Sequence, residues 1–326
     1  MLAPSYHPPV WLPGPHLQTI WSARLAPCPS IRYRRERWTT PDDDFIDVDF
    51  LHPAPRARRA PLLVLFHGLE GCSRSHYALT MVEAARRSGW RAAVPHFRSC
   101  SGELNRAPRA YHSGDSPELD WILRRFAREH AGGAPIVAIG VSLGGNVLLK
   151  WLGEQREAAR FVRAAVAISP PQDLHAGAIA LAHGFNRVYT RHFLKTLEHK
   201  ALAKLEQYPG LYDRRRVLGA RDFFDFDDAV TAPLHGYASC YDYWERSSCR
   251  AFLAGIRVPT LVINARNDPF LPASALAGSD EVSDHVTLDY PAEGGHVGFV
   301  QGPPPGHHAW LPARAIDWLS RALVDG

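Results

Sequence analysis

Lysine is nearly absent from this 326-residue chain: Lys150, Lys195, Lys200 and Lys204 are the only ones, so the net charge of +4 rests on arginine. No clean basic block occurs. The nearest, Arg214-Arg215-Arg216, reads as a solvated face, and no nucleic-acid partner is expected. Cysteine is scarce as well. Cys28, Cys72, Cys100, Cys240 and Cys249 are odd in number and lack a C-x-x-C pair, which argues against a disulfide framework and a zinc site. Free thiols in a reducing compartment are expected, with Cys72 and Cys100 as small packing residues after apolar segments. No apolar run approaches the ~20 residues that span a bilayer. Met1 to Pro15 has neither a basic n-region nor an apolar h-region, so no signal peptide is expected. These absences point to a cytoplasmic protein and leave peripheral membrane contact and oligomeric state open.

What is present is ample apolar material, 46% of the residues. Residues 62–66, 136–141, 162–168, 260–264 and 286–290 are short apolar runs, the pattern of strands buried on both faces. Residues 90–95 form a further short strand. Helical spacing covers 76–88, 116–130 and 309–323. Strands alternating with helices predict an α/β fold, a mostly parallel central sheet with helices on both faces. Residues 32–39 and 45–52, separated by Pro41-Asp42-Asp43-Asp44, predict an antiparallel edge. Residues 173–250 break the rhythm. They read as helices over 176–196 and 197–206 followed by aromatic loops at 223–226 and 241–244. The expected organisation is a single domain over 1–326 with 173–250 inserted as a cap over the strand ends, where open α/β sheets bind ligands.

The chemistry begins at Gly140-Val141-Ser142-Leu143-Gly144. An apolar strand runs into Gly-x-Ser-x-Gly and a helical stretch follows, which is the layout of a nucleophile elbow. A serine hydroxyl needs a base, and the base needs a carboxylate to orient it. In the chain order Ser, Asp, His, the residues after the next strands are Asp268 and His296. Ser142 is the candidate nucleophile, His296 the general base and then acid, and Asp268 the holder of the imidazole tautomer. The backbone N–H of Leu143 and of Leu69, in His67-Gly68-Leu69-Glu70-Gly71, are the candidate oxyanion donors. Taken singly, Asp268-Pro269 could be a turn and His296 a loop histidine; ordered behind an elbow, they make a triad.

The chain resembles the YheT-like group of α/β hydrolases. The resemblance rests on Trp11 to Ile20, His67 to Gly71, Phe97-Arg98-Ser99-Cys100-Ser101-Gly102-Glu103, Tyr111 to Gly114, Gly140 to Asn146, Asp268-Pro269 and Gly295-His296. It implies the α/β-hydrolase fold, Ser142, Asp268 and His296 as catalytic residues, and cleavage or formation of carboxylic esters, often of lipids. Ser99 departs from the pattern, because a glycine usually follows Phe-Arg.

The expected activity is therefore a serine carboxylic ester hydrolase working through an acyl-enzyme on short- to medium-chain acyl or lipid esters. The alternatives are an alcohol acyltransferase or ester synthase with the same triad, and a non-catalytic lipid-binding protein. The aromatics Phe185, Tyr189, Phe193, Phe223, Phe224, Tyr241 and Trp244 predict an apolar acyl pocket, some of them being core. No cofactor and no metal are expected. His112 reads as a loop organiser, His16 and Gln18 as pins of the N-terminal arm, His67 as an organiser of the oxyanion loop, and His307-His308 as a helix start.

Overall fold

The computed structural model describes residues 5–55, 57 and 59–324. The first four residues of the Met1–Pro15 segment thus lie outside the described residues. Eight strands make one sheet: β1 (Tyr33–Thr39), β2 (Phe45–Leu51), β3 (Leu62–Phe66), β4 (Arg91–Pro95), β5 (Ile136–Val141), β6 (Val162–Ile168), β7 (Thr260–Ile263) and β8 (Val286–Asp289). Their spatial order is β1-β2-β4-β3-β5-β6-β7-β8. β2 runs antiparallel to β1 and β4, and every other pairing is parallel. The two leading strands therefore form the expected antiparallel edge of a mostly parallel sheet.

The strand sequences explain the layering. Successive side chains of a strand point to opposite faces. Leu62, Val64 and Phe66 enter one apolar cluster with Ile136 and Ala138. Leu63 and Leu65 enter another with Val137, Ile139 and Val141. Every residue of β3 and β5 is buried, so both faces must be covered. The α-helices before β6 are α1 (Pro15–Arg24), α2 (His76–Arg87), α3 (Ser116–Arg125) and α4 (Leu143–Gln155). Leu119 and Ile122 of α3 and Val147 and Leu148 of α4 pack on the first face. Tyr77, Ala78 and Met81 of α2 pack on the second.

Between β6 and β7 the chain is helical: α5 (Leu174–Ala182), α6 (Arg187–Gln207), α7 (Arg214–Gly219), α8 (Phe223–Phe226), α9 (Ala232–Leu234) and α10 (Cys240–Ser247), with short irregular turns between them. This segment has small apolar clusters of its own, one around Leu194, Val217 and Phe226 and one around Ala178, Tyr243 and Trp244. After β8, α11 (Trp310–Val324) closes the chain against the α2 face.

Three expectations are corrected. The helix break falls at His183-Gly184, not at 196/197, because Gly184 takes φ +55° and ends the α5 turn. The aromatic stretches at 223–226 and 241–244 are helical. Asp222 accepts from Asp225 N at 3.0 Å and Ser239 from Asp242 N at 3.3 Å, so side-chain caps start both helices. His307-His308 does not start a helix: His307 bridges Gln301 across a turn, and α11 begins at Trp310.

Candidate active site

β5, in the middle of the sheet, delivers Ser142 at its C-terminal end. Its backbone sits at φ 52°, ψ −121°, a strained conformation for a non-glycine residue. The strand-to-helix turn can close only because its flanking residues lack side chains. A Cβ on Gly140 would lie 2.4 Å from Gly144 O, and one on Gly144 would lie 2.5 Å from the carbonyl oxygens of Phe66 and His67. The Ser142 N–H is held by Ile168 O at 2.8 Å.

Asp268 follows β7 and His296 follows β8, and the structure brings both to Ser142. His296 Nε2 is 2.9 Å from Ser142 Oγ, and His296 Nδ1 is 2.8 Å from Asp268 Oδ2. A carboxylate only accepts, so the proton sits on Nδ1 and leaves Nε2 free to accept from the serine hydroxyl. Asp268 is buried, and its other oxygen accepts from Phe270 N at 2.8 Å. The Phe270 ring stacks on the imidazole with centroids 4.1 Å apart.

Leu143 is the first residue of α4, so its N–H belongs to the helix end that lacks intrahelical acceptors. The Leu69 loop lies against the serine: a Cβ on Gly68 would be 3.1 Å from Ser142 Cβ. Tyr77 OH accepts from Gly68 N at 2.9 Å and Tyr111 OH from Glu70 N at 2.8 Å. No protein acceptor meets the Leu69 N–H between them among the described residues. His67 donates from Nδ1 to Gly68 O at 2.8 Å and accepts from Phe97 N at 3.0 Å. Burial, helped by the neighbouring His96, pushes its imidazole down to about 3, so it stays neutral and ties two loops together.

The helical segment between β6 and β7 reaches this loop directly. Lys200 of α6 pairs with Glu70 Oε1 at 2.6 Å, and Tyr111 OH donates to the same oxygen at 2.7 Å. Glu70 itself holds φ +55°. Ser99, where glycine is usual, takes φ +64° and is held by its own hydroxyl, which donates to Asn105 Oδ1 at 2.7 Å. Buried Arg98 beside it is consumed by Asp42, Asp44 and Glu118. The His112 ring accepts from Gly114 N at 3.1 Å, and burial pushes it down to about 3.

A cavity, part of it open to solvent, runs from Ser142, Leu143, Leu69 and His296 under the helical segment. Leu174, Leu181, Phe193, Phe223 and Trp244 line it, as the sequence anticipates for some of the aromatics. Phe185 and Tyr241 do not: they are 51% and 55% exposed. Phe224 packs on Trp244 and Tyr189 on Phe270. Among the described residues, no three His, Cys, Asp or Glu side chains converge as a metal site, and no helix is long and apolar enough to cross a membrane.

Asp227 lies at the cavity wall and accepts from Thr231 Oγ1 at 2.6 Å and Trp244 Nε1 at 2.8 Å. Burial pushes its carboxyl from 3.8 up to about 6, the two hydrogen bonds only partly opposing this. An acid raised in the folded state holds its proton better there than in the unfolded chain. Its share of stability is therefore full below the unfolded value and is lost as pH rises through the folded one, by an amount on the order of 3 kcal/mol. Asp227→Asn can keep both contacts. It is expected to raise Tm at about pH 8 and to flatten the decline in Tm that begins near pH 4. Parallel Tm–pH curves for the two proteins would contradict this.

Sequence reasoning missed Phe270, Asn267, Thr19, Tyr77 and Tyr111 as neighbours of the site. Only Phe270 and Asn267 carry a local signal, flanking Asp268 and Pro269. The others act from distant segments.

A profile of the family described as alpha/beta hydrolase fold matches residues 61–303. The chain is 40% identical over 290 residues to YheT of Escherichia coli (strain K12), a provisionally named esterase, covering 88% of this chain and 85% of that one. It is 28% identical to the phospholipase ABHD3 of Mus musculus, covering 98% and 79%. Among solved structures it is similar to the Pyrococcus furiosus esterase Pf2001, with a TM-score of 0.56, 15% identity and 98% of each chain covered, a likeness of fold.

Proposed function

Because the chain belongs to the alpha/beta hydrolase family, and within it to the YheT-like group, we propose that this hydrolase is a serine carboxylic ester hydrolase acting through an acyl-enzyme. Ser142 attacks the ester carbonyl while His296 Nε2 takes its proton. Asp268 steadies the imidazolium that forms. The oxyanion is met by the N–H groups of Leu143 and Leu69, and one such donor is typically worth roughly 3–4 kcal/mol in the transition state. His296 then protonates the departing alcohol, and water reverses the sequence on the acyl-enzyme.

The observation that carries this reading is the Ser142–His296–Asp268 chain of 2.9 and 2.8 Å contacts opening onto the apolar cavity. The apolar lining suits an acyl chain, because each buried methylene contributes ~0.8 kcal/mol. Helices α5 to α10 form the cap of the single domain, inserted between β6 and β7. The substrate class is short- to medium-chain acyl or lipid esters. The names of the mouse phospholipase and of the Escherichia coli relative support an ester or lipid substrate.

The test is a series of aryl esters from acetyl to palmitoyl, with fluorophosphonate labelling of the same protein. Labelling at Ser142 is expected, with kcat/KM rising from acetyl to a mid-length optimum. An absent adduct would favour a binding protein. Preferential transfer to added ethanol over water would favour the ester synthase.

A further inference from the structure

The family profile begins at residue 61, yet the two loops that carry Asp268 and His296 are held by a helix that precedes it. Gln18 of α1 is 0% exposed, and its amide is fully used. Nε2 donates to Leu12 O at 3.2 Å and to Glu293 Oε2 at 2.8 Å. Oε1 accepts from Gly294 N and from Asn267 Nδ2, both at 3.0 Å. One side chain therefore touches the residue before Asp268 and the loop of His296. Asn267 closes the ring by accepting from Gly295 N at 2.9 Å.

Thr19 completes the arrangement. Its hydroxyl donates to Pro15 O at 2.7 Å and accepts the backbone N–H of His296 at 2.9 Å. Ser22, one turn on, donates to Val297 O at 3.2 Å. The packing leaves no slack: a Cβ on Gly295 would meet Thr19 Oγ1 at 2.6 Å, and one on Gly298 would meet Gln18 O at 2.8 Å.

The loop needs such support. Gly295 and Val297, on either side of His296, have φ +57° and +56°, and Gly294 has φ +148°. Val297 is the strained one, because a non-glycine residue at positive φ persists only when its surroundings over-determine it. No sheet ladder serves residues 293–297, so their polar groups are met by side chains of α1, by Asn267 and by the Ser169 hydroxyl.

We propose that Gln18 and Thr19 are positioning residues for the reaction: α1 holds the His296 loop against the Asp268 loop so that the imidazole meets Ser142 and Asp268 together. The inference rests on the proposed serine hydrolase. It makes the active site depend on a segment outside the stretch matched by the family profile. Neither side chain lines the cavity, so the loss on substitution is expected in the chemical step and not in binding.

Thr19→Val keeps the shape and removes the acceptor. It is expected to lower kcat and the rate of fluorophosphonate labelling at Ser142 by on the order of 10- to 100-fold, the cost of a misplaced reacting group. KM is expected to stay within about twofold, and Thr19→Ser to restore most of the rate. A Thr19→Val protein that melts earlier but labels and turns over at the wild-type rate would overturn the proposal, leaving α1 as a stabilising pin. Should Thr19→Val not fold, Thr19→Cys decides by the same readouts, since a thiol accepts weakly. A wild-type protein that neither labels nor cleaves esters would instead overturn the proposed function itself.

Discussion

Ser142→Ala is expected to lower turnover of aryl esters by roughly 10⁴- to 10⁶-fold and to abolish fluorophosphonate labelling. The substitution removes only Oγ, the atom that His296 Nε2 meets at 2.9 Å. Among the described residues, Ser142 is the hydroxyl that meets His296 Nε2. The cysteine beside the Leu69 loop, Cys100, is pushed by burial up to about 12, so it keeps its proton and is a poor nucleophile. The residual rate, if any, would come from the Leu69 and Leu143 donors acting on water-driven hydrolysis. Alanine meets the same backbone strain at φ 52° as serine does, so Tm is expected to change little. Turnover within tenfold of wild type, in folded protein freed of contaminating esterase, would sink the mechanism.

Asp268→Asn is expected to cost roughly 10³- to 10⁴-fold in kcat, with KM nearly unchanged. The reason lies in the second oxygen. Oδ1 accepts from Phe270 N at 2.8 Å, so the amide of an asparagine turns its oxygen to that donor. Its NH₂ then faces His296 Nδ1, which must give up its proton and accept. The imidazole proton moves to Nε2, the nitrogen that should take the serine proton, and the base is disabled in place. Asp268→Ala, which leaves the tautomer free, is expected to be no worse than Asp268→Asn. Comparing kcat for the two variants checks the tautomer argument: an asparagine variant near wild-type activity would refute it.

The parts of the fold governed by local pattern were legible in the sequence. Residues 62–66 and 136–141 are continuous apolar runs because both faces of β3 and β5 are covered. Gly140 and Gly144 carry the elbow's signature because backbone occupies the space of their Cβ atoms. Asp268 and His296 are readable as candidates because each follows a strand directly. The helical caps at Asp222 and Ser239 were written there too, but the aromatic clusters beside them read as loops. What could not be read is what depends on distant partners. Gln18 and Thr19 are separated in sequence from Gly294 and His296 by nearly the whole chain, and no spacing announces that they meet. The oxyanion candidates are similar: Tyr77 and Tyr111 engage the N–H groups beside Leu69 from two different elements, and neither has a motif that says so.

The Lys200–Glu70 contact joins the helix above the cavity to the loop that carries the Leu69 N–H. Glu70 adjoins Leu69, and its carboxylate is shared by Tyr111 and by a lysine from the helix above the cavity. Any lifting of α6 wide enough to admit a long ester draws that lysine away. Opening of the cavity and the setting of the Leu69 N–H are thereby tied to one ion pair. The pair is mostly buried, its side chains 27% and 11% exposed, so salt in the medium screens it only weakly.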